Sequence, residues 1–257
     1  MPIRRRSILL AGGALSAQAA LSAGLVDLIA SLKPSVCAVG SYDPLASPRF
    51  RFRGSGCFVA DGSLVATCWH VLPETAPEAD KPDGAGLAVL VPSPQGGGEV
   101  RPAELLRGER QHDLALLRVG GRPGVPVTLA ADNAPREGME VALMGFPVGG
   151  ILGFRPVTHR GIIAAIVASA LPTPQARQLT ESAVARLRDG SFELLQLDAT
   201  AYPGNSGGPL FDVQTSQMLG TVNMVLVKGN RESALSQPTG ITYAVPVRYL
   251  HELLARR

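Results

Sequence analysis

Glycine and proline punctuate this chain from end to end, with 29 glycines and 21 prolines spread over 257 residues rather than gathered in one tail or linker. Turn-formers at that density favour many short strands joined by tight loops over long helices. Apolar residues make up 46% of the chain and aromatic residues only 5%. A core must therefore be built from Val, Leu, Ile and Ala, and a chain of this length can bury one as a large β domain or two small ones.

Read in order, residues 25–32 predict a short amphipathic helix ended by Pro34, and Ser35–Tyr42 a strand. Arg49–Ala60 and Ser63–Cys68 form the arms of a hairpin turning at Asp61-Gly62. Residues 73–86 read as a surface loop. Strands are expected at Leu87–Val91, Val100–Leu106 and Leu114–Val119, and 120–138, with prolines at 123, 126 and 135, reads as a linker between two halves. The second half predicts strands at Glu140–Phe146, Val157–Ala168, Phe192–Asp198, Leu210–Val213, Met218–Val227 and Ile241–Val247, then a closing helix, Arg248–Arg256. Residues 169–190 break the pattern with a short helix at 181–188 and read as an inserted excursion.

The first residues carry Arg4-Arg5-Arg6, an uncharged Ala/Gly/Ser/Leu run and the small-x-small triplet Ala17-Gln18-Ala19, the pattern of a secretory leader; Arg5-Arg6 followed by a weakly apolar run resembles a twin-arginine signal. The expectation is an export signal over residues 1–24 and delivery to a bacterial envelope compartment, the periplasm, with no stable membrane span once the signal is removed. Without residues 1–19 the chain holds 21 basic against 21 acidic residues. A neutral remainder lacks the electrostatic footprint of nucleic-acid binding. Cys37, Cys57 and Cys68 follow no metal-binding spacing, and neither a metal nor a cofactor is expected. A Cys57–Cys68 bridge and three small apolar core cysteines are both open at this point.

Chemistry concentrates in Ala201-Tyr202-Pro203-Gly204-Asn205-Ser206-Gly207-Gly208-Pro209-Leu210. Glycines on both sides of Ser206 let the backbone take conformations closed to other residues, so the N–H groups of Gly204 and Ser206 can converge beside the hydroxyl as an oxyanion hole. A serine nucleophile needs a base in reach and a carboxylate to hold that base. Of His70, His112, His159 and His251, His70 ends a predicted strand where its side chain can face a cleft. Asp113 opens the apolar run Leu114-Ala115-Leu116-Leu117, a place where a carboxylate is both desolvated and hydrogen-bonded. The other three histidines read as structural or surface groups.

The order His70, Asp113, Ser206, with Gly54-Ser55-Gly56 ahead of the histidine and Gly204–Leu210 around the serine, resembles trypsin-like serine proteases of the chymotrypsin fold. Leu195–Ala199, Val141–Pro147 and Gly240–Pro246 make it most similar to the HtrA/Deg branch. The resemblance implies an all-β fold of two six-stranded antiparallel β-barrels (about 35–130 and 138–248) within a protease domain over 25–257. The active site lies in the cleft between the barrels, and a helix closes the chain. It also implies Ser206 as nucleophile, His70 as base and acid, Asp113 as its partner, and the segment Gly204, Asn205, Ser206 as oxyanion hole. Proteins or peptides are the implied substrates, and a homo-oligomer is compatible with the branch. Thr200, six residues before the serine, falls near the base of the primary pocket and carries no acid, against a Lys/Arg preference. Thr221, Val222 and Asn223 match the strand that pairs with substrate. The chain departs from the branch in having no residues after the closing helix for a PDZ domain, and in placing Trp69 where a small residue precedes the histidine.

Two rival readings follow from the same residues. Gly204–Gly208 also satisfies G-x-S-x-G, but that motif needs a helix directly after the serine and an acid and histidine following it; Pro209 and the chain order exclude it. The other rival is a protein-binding or chaperone-like module that keeps the barrels without turnover.

Overall fold

A computed structural model of the chain describes residues 24–73, 86–93, 97–147, 149, 153–169, 192–223 and 240–256. Residues 1–23 of the expected export signal and the helix at 181–188 lie outside these residues. Residues 24–32 form helix α1. Strands β1 (Val36–Tyr42), β2 (Phe50–Val59), β3 (Leu64–Cys68), β4 (Gly86–Pro92), β5 (Gly98–Glu109) and β6 (Leu114–Val119) come first. They are followed by β7 (Glu140–Gly145), β8 (Val157–Ala168), β9 (Glu193–Asp198), β10 (Pro209–Asp212), β11 (Met218–Asn223), β12 (Ile241–Pro246) and helix α2 (Val247–Ala255).

The strands close into two antiparallel barrels, β1-β2-β3-β6-β5-β4 and β10-β11-β12-β9-β8-β7. Closure removes the free edges that a six-stranded open sheet would leave. Burial explains which sequence runs alternate and which do not. In β6, Leu117 and Val119 fill the first barrel together with Cys37, Val39, Phe58, Val65 and Val89. Leu114 and Leu116 join a second layer that contains Ala142, Met144, Phe211 and Met218 of the other barrel. A strand buried on both faces reads as an unbroken apolar run. The second barrel is filled by Val141, Leu143, Ile163, Leu195, Leu197, Leu210 and Val222.

β5 runs three residues past its predicted end at Leu106, because a register shift between Leu105 and Arg107 lets it continue alongside β6 to Glu109. Bulges of this kind bend a strand without ending its pairing. The linker is tied to both halves: Val127 N–H donates to Phe58 O at 2.9 Å, and Met218 N–H donates to Thr128 O at 2.8 Å. In α2, Val247, Leu250 and Leu253 repeat at helical spacing and are buried. The helix packs on β11 and β12 of its own barrel and on β5 and β6 of the other.

Candidate active site

β3 ends at Cys68 and passes into a single 3-10 turn, Trp69–Val71, that holds His70 at the rim of the first barrel. Arg53 on β2 fixes this turn from the side, donating from Nε to Val71 O at 2.7 Å and from an Nη to Leu72 O at 3.0 Å. Asp113 stands in the corner between β5 and β6 with φ +54, a left-handed conformation that Asp tolerates better than most L-residues. From there its carboxylate reaches back to the histidine. Asp113 Oδ1 accepts the His70 N–H at 2.9 Å, and Oδ2 lies 2.5 Å from His70 Nδ1. Asn223, at the end of β11, donates from Nδ2 to the same Oδ2 at 2.8 Å. The carboxylate is thereby held on both oxygens, and its short bond to Nδ1 leaves Nε2 as the ring nitrogen on which a base would act.

Trp69 is accommodated by its neighbours on β5 and the adjoining corner. Any side chain at Gly108 would overlap the Trp69 ring, so the glycine makes room for it. Arg110 lies 5.2 Å from the ring centroid on a cation–π contact, and Trp69 N–H donates to Asp113 O at 3.0 Å. The bulky residue therefore links the His70 turn to the Asp113 corner.

Across the cleft, the serine loop is bound to the first barrel chiefly through Ser55. Its N–H donates to Ser206 O at 2.8 Å, and its Oγ donates to Gly204 O at 2.7 Å while accepting Phe146 N–H at 2.9 Å. Thr67 Oγ1 in turn donates to Ser55 O at 2.7 Å. Gly54 sits between Val71 and Ser206, with both so close that a Cβ there would collide with them. The Ser206 segment thus abuts the histidine's. Gly204 has φ +105, and a Cβ there would overlap Phe146 O, so the loop requires glycine at this position. Asn205 N–H closes a turn onto Tyr202 O at 3.0 Å, whereas Gly204 N–H has no acceptor among the described residues. Asn205 also buries both side-chain amide atoms without a hydrogen-bond partner among the described residues. That is an unfavourable arrangement for a buried amide.

Sequence reasoning used Ser55 only within the motif Gly54-Ser55-Gly56 and passed over Arg53 and the Gly108–Trp69 fit; glycines inside a strand, as at Gly54 and Gly56, signal close backbone approach. Thr221 and Val222 are 1% and 0% exposed, and Val222 spends its N–H on Gly208 O and its C=O on Gly207 N–H. The end of β11 thereby holds the serine loop through Val222. Asn223 turns its side chain to Asp113, and Thr200 is half-buried on the segment before the loop.

The three thiols are free and buried. Cys57 Sγ faces Met218 Sδ at 3.7 Å and Cys68 Sγ faces Val222 O at 3.3 Å, so the hairpin carries no bridge. Burial pushes the Cys57 thiol up to about 12. It also raises Cys68, with a further push from the Asp113 charge. Cys68, His70 and Asp113 offer ligand atoms within 4.8 Å of one another, but both carboxylate oxygens and the thiol already take part in internal hydrogen bonds. His159, beside Tyr202, has its ring held neutral to lower pH by burial.

A family model described as a trypsin-like peptidase domain matches residues 54–220, which hold all three members of this constellation. The chain belongs to the trypsin-like peptidase domain family. It is 27% identical over 152 residues to the serine protease PepD of Mycobacterium tuberculosis, covering 58% of this chain and 30% of that protein. The magnetosome formation protease MamE of Paramagnetospirillum magneticum is 29% identical over 193 residues, 75% of this chain and 22% of MamE. A probable periplasmic DegP-like serine endoprotease of Halomonas elongata is 26% identical over 197 residues, 77% of this chain and 33% of that protein. The chain therefore spans a third or less of each of these relatives. The crystal structure of Deg5 shares the fold, with a TM-score of 0.61 at 20% identity over 90% of this chain and 92% of that one. The two-barrel, HtrA/Deg-like expectation stands.

Proposed function

We propose that the chain is a serine endopeptidase that cleaves protein or peptide substrates through His70, Asp113 and Ser206. The observation that carries the reading is the His70 Nδ1 to Asp113 Oδ2 bond of 2.5 Å, with the serine loop tied against the same histidine turn. In the mechanism this supports, His70 Nε2 takes the Ser206 hydroxyl proton as Oγ attacks the scissile carbonyl. Asp113 stabilises the imidazolium that forms and keeps the ring oriented. Charge arriving on the carbonyl oxygen is met by the N–H groups of Gly204 and Ser206. His70 then returns its proton to the leaving amine, and water repeats the sequence to release the acyl group.

The reading is tested by fluorophosphonate labelling of the purified protein and of Ser206→Ala. Labelling of the native chain alone is the expected result; equal labelling of both removes Ser206 as nucleophile. A folded protein with neither labelling nor proteolysis favours the binding-module reading. Asp113→Asn is expected to lower kcat by roughly 10^4 without unfolding the barrels. An envelope location is part of the proposal, supported by the basic, weakly apolar start of the sequence and by relatives named as periplasmic. Fractionation of cells with N-terminal sequencing of the recovered protein tests it, and full-length protein found only in the cytosol would remove it.

A further inference from the structure

We propose that His112 is a positioning residue for Asp113 and that, through it, helix α2 helps to orient the catalytic base; this rests on the roles of His70, Asp113 and Ser206 given above. His112 directly precedes Asp113 and is 7% exposed. Its Nδ1 is 2.9 Å from Glu109 Oε2. The other oxygen of that carboxylate accepts a hydrogen bond from Arg256, just past the end of α2, at 2.8 Å. The imidazole lies flat on Tyr249 of α2, with centroids 3.8 Å apart and planes 20° apart, and meets Phe192 edge-on at 4.8 Å.

Tyr249 is itself fixed, its hydroxyl accepting from Glu193 N–H at 3.1 Å and from Arg248 at 2.7 Å. Arg107 on β5 adds a bond to Leu254 O at 3.2 Å. The corner that presents Asp113 is thus gripped from outside by α2 and the start of β9, elements of the second half of the chain.

Such a grip has work to do. Asp113 sits at φ +54, and a non-glycine residue stays in that region only when its surroundings over-determine it. The bond from Asp113 N–H to Arg110 O within the corner is long, at 3.3 Å, and the side-chain contacts of His112 add to it in setting the corner's shape. Burial opposes ionisation of Glu109, and the bonds and charges of Arg256 and His112 overcome it, holding the carboxyl below its ordinary range. The link between helix and corner is accordingly an ionic one at neutral pH. A hydrogen bond of 2.5 Å at the far side of Asp113 has little tolerance for displacement, and misplacement by about 1 Å costs roughly 100-fold in rate.

The test compares His112→Ala, Arg256→Ala and Arg256→Lys with the native chain by melting temperature, by kcat and KM on a peptide substrate, and by the far-downfield proton NMR resonance of the His70–Asp113 bond. His112→Ala is expected to lower kcat roughly 10- to 100-fold with little change in KM, and to shift or broaden the downfield resonance. Arg256→Ala, at an exposed position, is expected to keep the fold and lower kcat by up to about fivefold, with recovery in Arg256→Lys. In an Asp113→Asn background His112→Ala should bring no further loss of rate, since it acts through the missing carboxylate. An unchanged resonance in folded His112→Ala overturns the proposal, as does the full rate loss recurring in the Asp113→Asn background. Should the native chain neither label nor turn over, the endopeptidase reading fails, while the resonance still decides for or against the role of His112.

Discussion

Ser55→Ala removes one oxygen and is expected to disturb both barrels. The hydroxyl donates to Gly204 O at 2.7 Å and accepts Phe146 N–H at 2.9 Å. Ser55 is fully buried and Phe146 is 2% exposed, so water cannot take the missing partner's place. Two hydrogen bonds lost at about 1 kcal/mol each, plus about 1–3 kcal/mol for the stranded N–H, give a destabilisation of about 3–5 kcal/mol. At this chain length that is a fall in melting temperature of roughly 6–20 °C.

The catalytic effect is smaller than removal of an oxyanion donor, which costs about 10²- to 10³-fold in kcat. The Ser55 N–H to Ser206 O bond of 2.8 Å remains and only the aim of Gly204 is loosened. The expectation is a loss of roughly 10- to 100-fold in kcat, with KM within about threefold of the native value. Urea unfolding and steady-state hydrolysis of a peptide substrate measure the two effects. A variant within about 0.5 kcal/mol and twofold in kcat of the native protein would refute the idea that this hydroxyl ties the loop in place.

Further outcomes follow from the same geometry. Gly145→Ala places a Cβ 2.8 Å from both Asn205 Oδ1 and Ser55 Oγ; overpacking there should cost about 1–3 kcal/mol and impair turnover, and a variant of native stability and rate would contradict the close approach. The three buried thiols, pushed up by burial, should resist iodoacetamide in the native protein and all react after unfolding, as counted by mass spectrometry; rapid native alkylation of Cys57 would show the core to be open. The Glu109 carboxyl is depressed in the folded state, so the unfolded chain binds the proton first on acidification. Its stabilisation is complete above the ordinary carboxylate value and is lost as pH falls through the folded value. Glu109→Gln should therefore flatten the fall in melting temperature below about pH 4.5, and an unchanged acid slope would count against the linkage.

The twelve strands and the closing helix were legible in the sequence because short apolar runs, turn residues and the period of two act locally. The candidate triad was legible for a different reason: Ser206 in its glycine-rich loop, a histidine ending a strand and an acid opening an apolar run each advertise a chemistry at their own position. What no local signal carried is how these positions meet. Ser55 and Gly204 are 149 residues apart and touch only once both barrels have closed. Val222 gives both its N–H and its C=O to the serine loop, a pairing that no local signal announces. Trp69 is awkward in the sequence and fits only because β5, after its bulge, brings Gly108 beneath it. The surroundings of His112 were illegible for the same reason, since Phe192, Tyr249 and, through Glu109, Arg256 come from the second half of the chain. Sequence by itself determined the strands, the turns and the reactive groups, which depend on neighbours within a few residues; the tertiary structure alone decided the hydrogen bonds that aim those groups, because each of them spans a closure between distant segments.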